Sequence, residues 1–203
     1  MITKSELIND VYIAFINVKL EDGIGLWEAQ GHDDRLSLAA CKKLGAKDET
    51  NDWKKIPLIH LYQCSSSLSF LDAKGMLFHF PMYLLFALGV FKKEQEELVL
   101  KGLTKGCSES DIEGTLISIT DYKNDINDIQ YKHFYTERFS LFNSEQLRCI
   151  TKYLEYRMLE LEVYYKTDAA KKFGVLPTSI KYDKDYIQLQ EAISCWVNKF
   201  KIK

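Results

Sequence analysis

The stretch SSSLSFLDAKGMLFHFPMYLLFALGVF, residues 65–91, is the most apolar part of this 203-residue chain. The secondary structure predicted for it decides the predicted fold. A short helix, LSFLDA, is expected to stop at Gly75. A residue before proline is pushed out of the helical region, so the chain is predicted to run extended as far as Phe80. Pro81 then begins a second, buried helix that ends near Gly89. We therefore predict two core helical pieces joined by an extended approach.

Two capping boxes predict helix starts at opposite ends of the chain. Thr3 and Glu6 open a helix that is expected to reach about Asn17. Asn143 and Gln146 open the longest predicted helix. Its apolar stripe follows at helical spacing: Leu147, Ile150, Leu154, Met158 and Leu161. A last helix, capped by Asp183, is predicted to place on one face Tyr186, Leu189, Ile193, Trp196, Val197 and Phe200.

The predicted fold class is mostly α, with one compact multi-helix domain over residues 1–203. Shorter helices are predicted in LWEAQGHDD, RLSLAACKKLGA and PLIHLYQC, and no alternating strand pattern or fixed repeat is visible. A chain of this length can bury one substantial core. Residues 92–130 are rich in acids and turn residues, so we expect an irregular, mobile acidic insert with one short element around residues 116–119.

Composition excludes several classes of protein. The chain is 46% hydrophobic and 28% charged, which is typical of a globular rather than a disordered protein. Five dispersed cysteines without a CxxC pair favour reduced thiols over a disulfide framework or a zinc cluster. The longest apolar run, residues 76–91, is shorter than the ~20 residues of a membrane span, and no secretory signal pattern begins the chain. We expect a cytoplasmic protein without a membrane partner.

The net charge of −2 hides an uneven distribution. Residues 21–52 carry eight acids against four bases, and residues 94–128 carry nine against three, whereas residues 129–203 carry thirteen bases against nine acids. This pattern does not suit a nucleic-acid footprint, for which the best candidates are Arg138, Arg148 and Lys152. If the two acidic regions share a face, they suit a basic partner.

One pair of side chains suggests metal or hydrolytic chemistry. Glu28 and His32 stand four residues apart, with Asp33 and Asp34 following, so a helix places the first two on one face. The alternative is a solvated helix end whose carboxylates pair with nearby bases. Neither a second histidine nor an HExxH pattern accompanies the pair, so the metal interpretation rests on Glu28 and His32 alone.

Other histidines and cysteines have structural interpretations that we prefer. His60, Cys64 and Asp72 could be drawn as a triad, but a thiol in an apolar segment is more often inert. His79, between two phenylalanines, reads as a satisfied core residue. His133 belongs to an aromatic and basic patch with Tyr131, Phe134, Tyr135 and Arg138. Such a patch could stack on nucleic-acid bases or bind a protein, but we favour the interpretation that its aromatic side chains pack inward. Nucleotide-binding, serine-hydrolase and kinase motifs are missing from the sequence, so we predict no catalytic residue and no cofactor.

Several segments together resemble an uncharacterised family of small bacterial proteins: EDGIGLWEA, LSFLDAKGMLFHFPMYLL and FSLFNSEQLRCITKYLEY. Family members are similar to LSFLDxxGFRFYLPAYM in the middle segment and to FxLFTPEQ in the later one. The chain departs from that pattern at Leu77, His79 and Met82, where a basic, an aromatic and a small residue are usual. The resemblance implies a bacterial, cytoplasmic context and a structural emphasis on Asp72, Gly75, Pro81 and Tyr83, but no reaction.

The leading functional hypothesis is a non-enzymatic protein-binding protein, specifically an immunity-type inhibitor that neutralises a bacterial toxin by direct contact. Acidic surfaces would steer the protein onto a basic cleft, and an aromatic residue would anchor it. The predicted partner-binding residues are Glu21, Asp22, Trp27, Glu28, Asp33, Asp34, Asp121, Asp125 and Asp128. The alternative hypothesis is a metal-binding or hydrolytic enzyme centred on Glu28, His32, Asp33 and Asp34.

Overall fold

Helices build the whole of the described fold, which a computed structural model provides for residues 2–104, 106–121 and 135–200. The α-helices are α1 Lys4–Ala14, α2 Leu26–Asp33, α3 Leu38–Gly45, α4 Leu58–Gln63, α5 Ala73–Ala87, α6 Lys92–Leu100, α7 Glu109–Thr120, α8 Ser144–Tyr164, α9 Asp168–Lys172 and α10 Lys184–Phe200. Short 3-10 helices lie at Trp53–Lys55, Ser67–Phe70 and Pro177–Tyr182. These residues include no strand, so the mostly α prediction is confirmed.

Helix α5 is the centre of the core. Eleven of its fifteen residues are buried, and it packs against α1 and α7. Around it, α8 packs against both α1 and α10, while α2 and α3 pair with each other at one side. Among the described helices none is by itself both long and apolar enough to cross a membrane; α5 and α6 together meet that test across an 85° bend.

The prediction of a break before Pro81 is wrong. Residues from Ala73 to Ala87 form one helix, and Pro81 lies inside it. Asp72 is the N-cap, and its Oδ1 accepts a hydrogen bond from the Gly75 N–H at 2.7 Å. An interior proline costs a helix ~3 kcal/mol, because its ring removes one N–H and crowds the carbonyl four residues earlier. Burial of each large apolar side chain stabilises the fold by ~1.5–3 kcal/mol, so the packing of α5 outweighs the cost of the proline.

Both predicted capping boxes are confirmed. Thr3 Oγ1 accepts from the Glu6 N–H at 3.2 Å, and the Thr3 N–H donates to Glu6 Oε2 at 2.9 Å. Asn143 and Gln146 exchange the equivalent bonds at 3.0 and 2.9 Å. Gln146 Nε2 also donates to the Ala14 carbonyl at 3.0 Å, so the start of α8 caps the end of α1.

The prediction of an irregular insert over residues 92–130 needs correction in its first part. Helices α6 and α7 occupy most of residues 92–120, and the element expected around residues 116–119 belongs to the twelve-residue α7. Ile112, Leu116 and Ile119 are buried against the core, and this burial explains why an acidic stretch is helical. The rest of the predicted insert, residues 122–130, lies outside the described residues.

Helix α10 closes the core from the C-terminal side. Asp183 Oδ1 accepts from the Tyr186 N–H at 2.9 Å, as the sequence predicted for the start of this helix. Trp196 is 1% exposed, and its Nε1–H donates to the Thr120 carbonyl at 2.7 Å. Val197, which was predicted to share that inner face, is 37% exposed, because one helical step rotates it ~100° away from Trp196.

Candidate functional site

The motif carboxylate Asp72 joins two distant segments of the chain. Its Oδ1 accepts from the Ile24 N–H at 3.0 Å as well as from the Gly75 N–H. The backbones approach so closely here that a Cβ on Gly75 would lie 2.1 Å from the Ile24 carbonyl oxygen. A Cβ on Gly23 would lie 2.6 Å from the Lys74 Cβ. Asp72 and Gly75 therefore have the structural role that the family resemblance implied.

Two of the predicted partner-binding acids, Glu21 and Asp22, lie beside this junction. Lys74 Nζ is 2.6 Å from Glu21 Oε2 and 2.5 Å from Asp22 Oδ1. Both carboxylates remain exposed, so they are accessible to a partner, but one ammonium partly neutralises them. The pair is therefore a weaker acidic feature than its sequence indicates.

The predicted metal pair does not form an open ligand set. The Glu28 side chain is only 8% exposed, and its Oε1 is 2.8 Å from Lys42 Nζ. His32 Nε2 stands 3.9 Å from the same oxygen. Within residues 2–104, 106–121 and 135–200 no group of three or more histidine, cysteine or acidic side chains could hold a metal ion. Glu28 instead ties α2 to α3, and the metal hypothesis gains no support.

A residue that sequence reasoning missed, Asp48, caps α2 from a distance. Its carboxylate accepts from the Trp27 N–H at 3.0 Å and from the Glu28 N–H at 3.4 Å. Gly25 makes room for it, because a Cβ there would lie 2.3 Å from the Asp48 carboxylate. Burial raises the pKa of Asp48 to about 6, although those backbone hydrogen bonds oppose the shift. No local pattern marks a cap that comes from twenty residues along the chain.

The remaining predicted partner-binding residues differ in accessibility. Trp27 is partly buried under Lys47, whose Nζ lies 4.0 Å from the ring centroid, and His60 meets it edge-on. Asp33 is partly buried and Asp34 is exposed. Asp121, only 5% exposed, is 2.5 Å from the Arg157 guanidinium.

Buried and paired carboxylates cannot contribute to an acidic docking surface, so that prediction is not supported for Glu28 and Asp121. Asp125 and Asp128 lie outside the described residues. The same is true of Tyr131, His133 and Phe134 of the aromatic and basic patch. The exposed described acids of the predicted set are Glu21, Asp22 and Asp34.

The histidines and thiol of the apolar segments are core residues. Cys64 is fully buried, and burial raises the pKa of its thiol to about 12, which leaves it inert at neutral pH. His79 is 1% exposed and its Nδ1–H donates to the Gly75 carbonyl at 2.8 Å. Burial lowers the pKa of His79 to about 4, so it is neutral at physiological pH. Asp72 is engaged with backbone N–H groups, and these residues form no triad.

A groove of about 580 Å³ with apolar side chains in its lining lies between α1 and α8. Ile13, Ile16 and Leu141 line it and are 61%, 60% and 47% exposed. Charged side chains border it in two ion pairs: Lys152 with Asp10 at 2.5 Å and Arg148 with Glu145 at 2.8 Å. We name this feature the α1–α8 groove.

The amphipathic pattern of α1 explains why the α1–α8 groove is apolar. Leu7, Val11 and Phe15 are fully buried on one face. Ile13 lies two positions beyond Val11, about 200° around the helix, so it cannot share that face. Isoleucines off the buried stripe are a signal of this groove that the sequence itself contains. Of the predicted partner-binding residues that the structure describes, none lines this groove.

These features define a small all-α protein in which Asp72 and Gly75 join distant backbone segments and three exposed apolar side chains line one groove. The chain matches a family of unknown function, DUF6714, over residues 3–173. It belongs to that family. No curated protein and no solved structure was found to match it.

Proposed function

We propose that this chain is a protein-binding protein whose docking site is the α1–α8 groove. The observation that carries the proposal is the exposure of Ile13, Ile16 and Leu141 in one concavity. Single exposed apolar residues are common on protein surfaces, but a contiguous apolar patch with a charged rim is typical of an interaction site. Because Ile13, Ile16 and Leu141 are already about half buried, covering each one completely contributes about half of the ~1.5–3 kcal/mol of full burial.

The rim of the groove favours a partner segment that is apolar on one face and polar at its edges. Asp10 pairs with Lys152 and Glu145 pairs with Arg148, so the rim presents charges of both signs that already have partners. A partner therefore needs no strong net charge to dock there. An amphipathic helix laid into a groove is the recurrent solution for this arrangement.

The finer proposal is that the partner is a toxin and that the chain acts as an immunity-type inhibitor. Exposed Glu21, Asp22 and Asp34 support it modestly, since accessible carboxylates speed encounter with a basic partner. In this mechanism the groove supplies affinity and the acids supply steering. The contact would block the toxin directly, without a chemical step.

Paired variants test the docking site. Ile13→Ser combined with Ile16→Ser should abolish capture of a partner that the wild-type chain retains, while Leu38→Ser, at a residue 75% exposed on α3, should leave capture unchanged. A captured partner that arrests growth alone, but not with the wild-type chain, would support the toxin assignment. Identical captured proteins for all three chains would overturn the groove as the docking site.

A further inference from the structure

The segment after α9 exposes large apolar side chains among lysines. Residues 171–184 read KKFGVLPTSIKYDK, and we name them the C-terminal basic segment. Within it Phe173 is 82% exposed, Leu176 is 64% exposed and Tyr182 is 73% exposed. Phe173 and Tyr182 are more exposed than Ile13, Ile16 and Leu141, the apolar side chains of the α1–α8 groove that the proposed function uses.

An ordered backbone holds these side chains outward. The Phe173 and Val175 N–H groups both donate to the Ala170 carbonyl, at 3.1 and 3.0 Å. Gly174 makes the turn between them with a φ of +73°, a conformation that glycine adopts without strain. Leu176 then caps the 3-10 helix Pro177–Tyr182. The projecting side chains therefore belong to defined turns, and their exposure is part of the fold.

The charge of the segment is positive and largely uncompensated. Lys171 pairs with Asp168 at 3.0 Å. Asp183 accepts a hydrogen bond from the Tyr165 hydroxyl at 2.6 Å and keeps its negative charge, so the segment has four lysines against one acid. No carboxylate in the described parts of the chain forms an ion pair with the three other lysines of the segment, Lys172, Lys181 and Lys184.

We propose that the C-terminal basic segment docks the protein reversibly on an anionic lipid bilayer. Phe173, Leu176 and Tyr182 would enter the boundary between headgroups and acyl chains, while the lysines meet lipid phosphates. A surface contact of this kind needs no spanning helix. It therefore differs from the sequence-based expectation of no membrane partner, which considered spanning segments.

A bilayer fits these side chains better than a protein surface does. Lysine is depleted in protein interfaces, whereas its long stem lets the ammonium reach headgroups above a buried apolar side chain. Most of the segment lies beyond residue 173, where the family match ends, so this property would belong to this chain rather than to its family.

Vesicle sedimentation of the full chain tests the proposal. We expect the protein to sediment with vesicles of phosphatidylcholine and phosphatidylglycerol in equal parts, and not with phosphatidylcholine alone. Raising the salt concentration should release it, because the attraction is screened. Lys172→Glu with Lys184→Glu should weaken partition at least ~20-fold, since each lysine near an anionic surface contributes ~5-fold. Phe173→Ser with Leu176→Ser should weaken it ~10-fold or more.

Matched controls separate docking from folding. Leu38→Ser and Lys43→Glu alter exposed side chains on α3 and should leave partition unchanged. All variants should keep the wild-type melting temperature, because the altered side chains are exposed.

Absence of sedimentation, or sedimentation that the segment variants do not weaken, would overturn the proposal. Binding to polyglutamate or single-stranded DNA without vesicle binding would also overturn it. The Ile13 and Ile16 variants report on the groove independently.

Discussion

Carboxylates that cap backbones far away in sequence set the local structure of this protein. The Asp48 carboxylate accepts a hydrogen bond from a backbone N–H group at the start of α2. The Asp72 carboxylate accepts one at the start of α5 and another from the Ile24 N–H. Sequence patterns predicted the local caps, Thr3 and Asn143, because a capping box lies within four residues. They could not predict Asp48, since the chain separation between cap and helix has no fixed value.

Protonation of His79 should destabilise the fold in acid. Its folded pKa of about 4 lies below the ordinary value of 6.5, so the unfolded chain binds the proton first. The stability that neutral His79 provides is complete above pH 6.5 and is lost as the pH falls towards 4. The loss is about 3 kcal/mol, at ~1.4 kcal/mol for each pKa unit. Urea denaturation between pH 7 and pH 4 measures it.

The dependence of the unfolding free energy on pH, rather than its value at one pH, shows whether His79 causes the loss of stability in acid. His79→Gln keeps a side-chain donor for the Gly75 carbonyl and does not titrate, so its unfolding free energy should fall less steeply with acid. Leu38→Ser, at an exposed position on α3 that does not titrate, is the control and should keep the wild-type slope. Equal slopes for His79→Gln and the wild type would contradict this assignment.

At the scale of elements, α5 shows how burial overrides a local signal. The residue pattern before Pro81 favours an extended segment. Yet Met76, Phe78 and Phe80 are fully buried by α1, α7 and the rest of the core. Their burial exists only after the other helices have packed, so no window of sequence around Pro81 contains it. A similar argument applies to α7, where three buried side chains stabilise a helix in an acidic stretch.

Two glycines inside helices should respond to alanine with opposite signs. Gly75→Ala places a Cβ 2.1 Å from the Ile24 carbonyl oxygen, so α5 and the Gly23–Gly25 loop must separate. We expect a loss of about 3 kcal/mol of unfolding free energy. Gly114→Ala on α7 meets no atom within 4 Å and should gain ~1 kcal/mol, because alanine is the better helix former. Thermal denaturation of both variants decides; a stable Gly75→Ala chain would refute the close junction.

At the scale of the whole molecule, the part beyond the family match completes the core. Trp196 on α10 contacts Phe139 at a centroid distance of 4.9 Å and Tyr135 at 6.2 Å. It also satisfies the carbonyl at the end of α7. Residues 174–200 are therefore part of the folded unit of this chain, although the family match ends at residue 173.

Trp196→Ala should cost about 3–5 kcal/mol, since it leaves a cavity and an unsatisfied buried carbonyl. Val197→Ala, one residue away and 37% exposed, should cost less than ~1 kcal/mol. Chemical denaturation of the two variants provides the comparison. Similar costs would mean that α10 does not pack through Trp196.

The candidate site was the part that sequence reasoning reached least well. Charge counts pointed to acids, but Glu28 and Asp121 are buried in ion pairs with Lys42 and Arg157. A count of charges contains no information about which partner each charge meets. The spacing of the isoleucines relative to the buried stripe of α1 indicates that they are exposed. Only the packing of α8 beside α1 shows that they lie in a groove.

The sequence by itself determined the all-α class, the two capping boxes and most of the inner faces of α8 and α10, because these depend on residues within one or two helical turns. Only the tertiary structure decided that α5 runs unbroken through Pro81, that Asp48 caps α2, and that Asp72 and Gly75 hold the Ile24 backbone. Each of these depends on the free energy of contacts between residues distant in sequence, which exists only once the helices have packed.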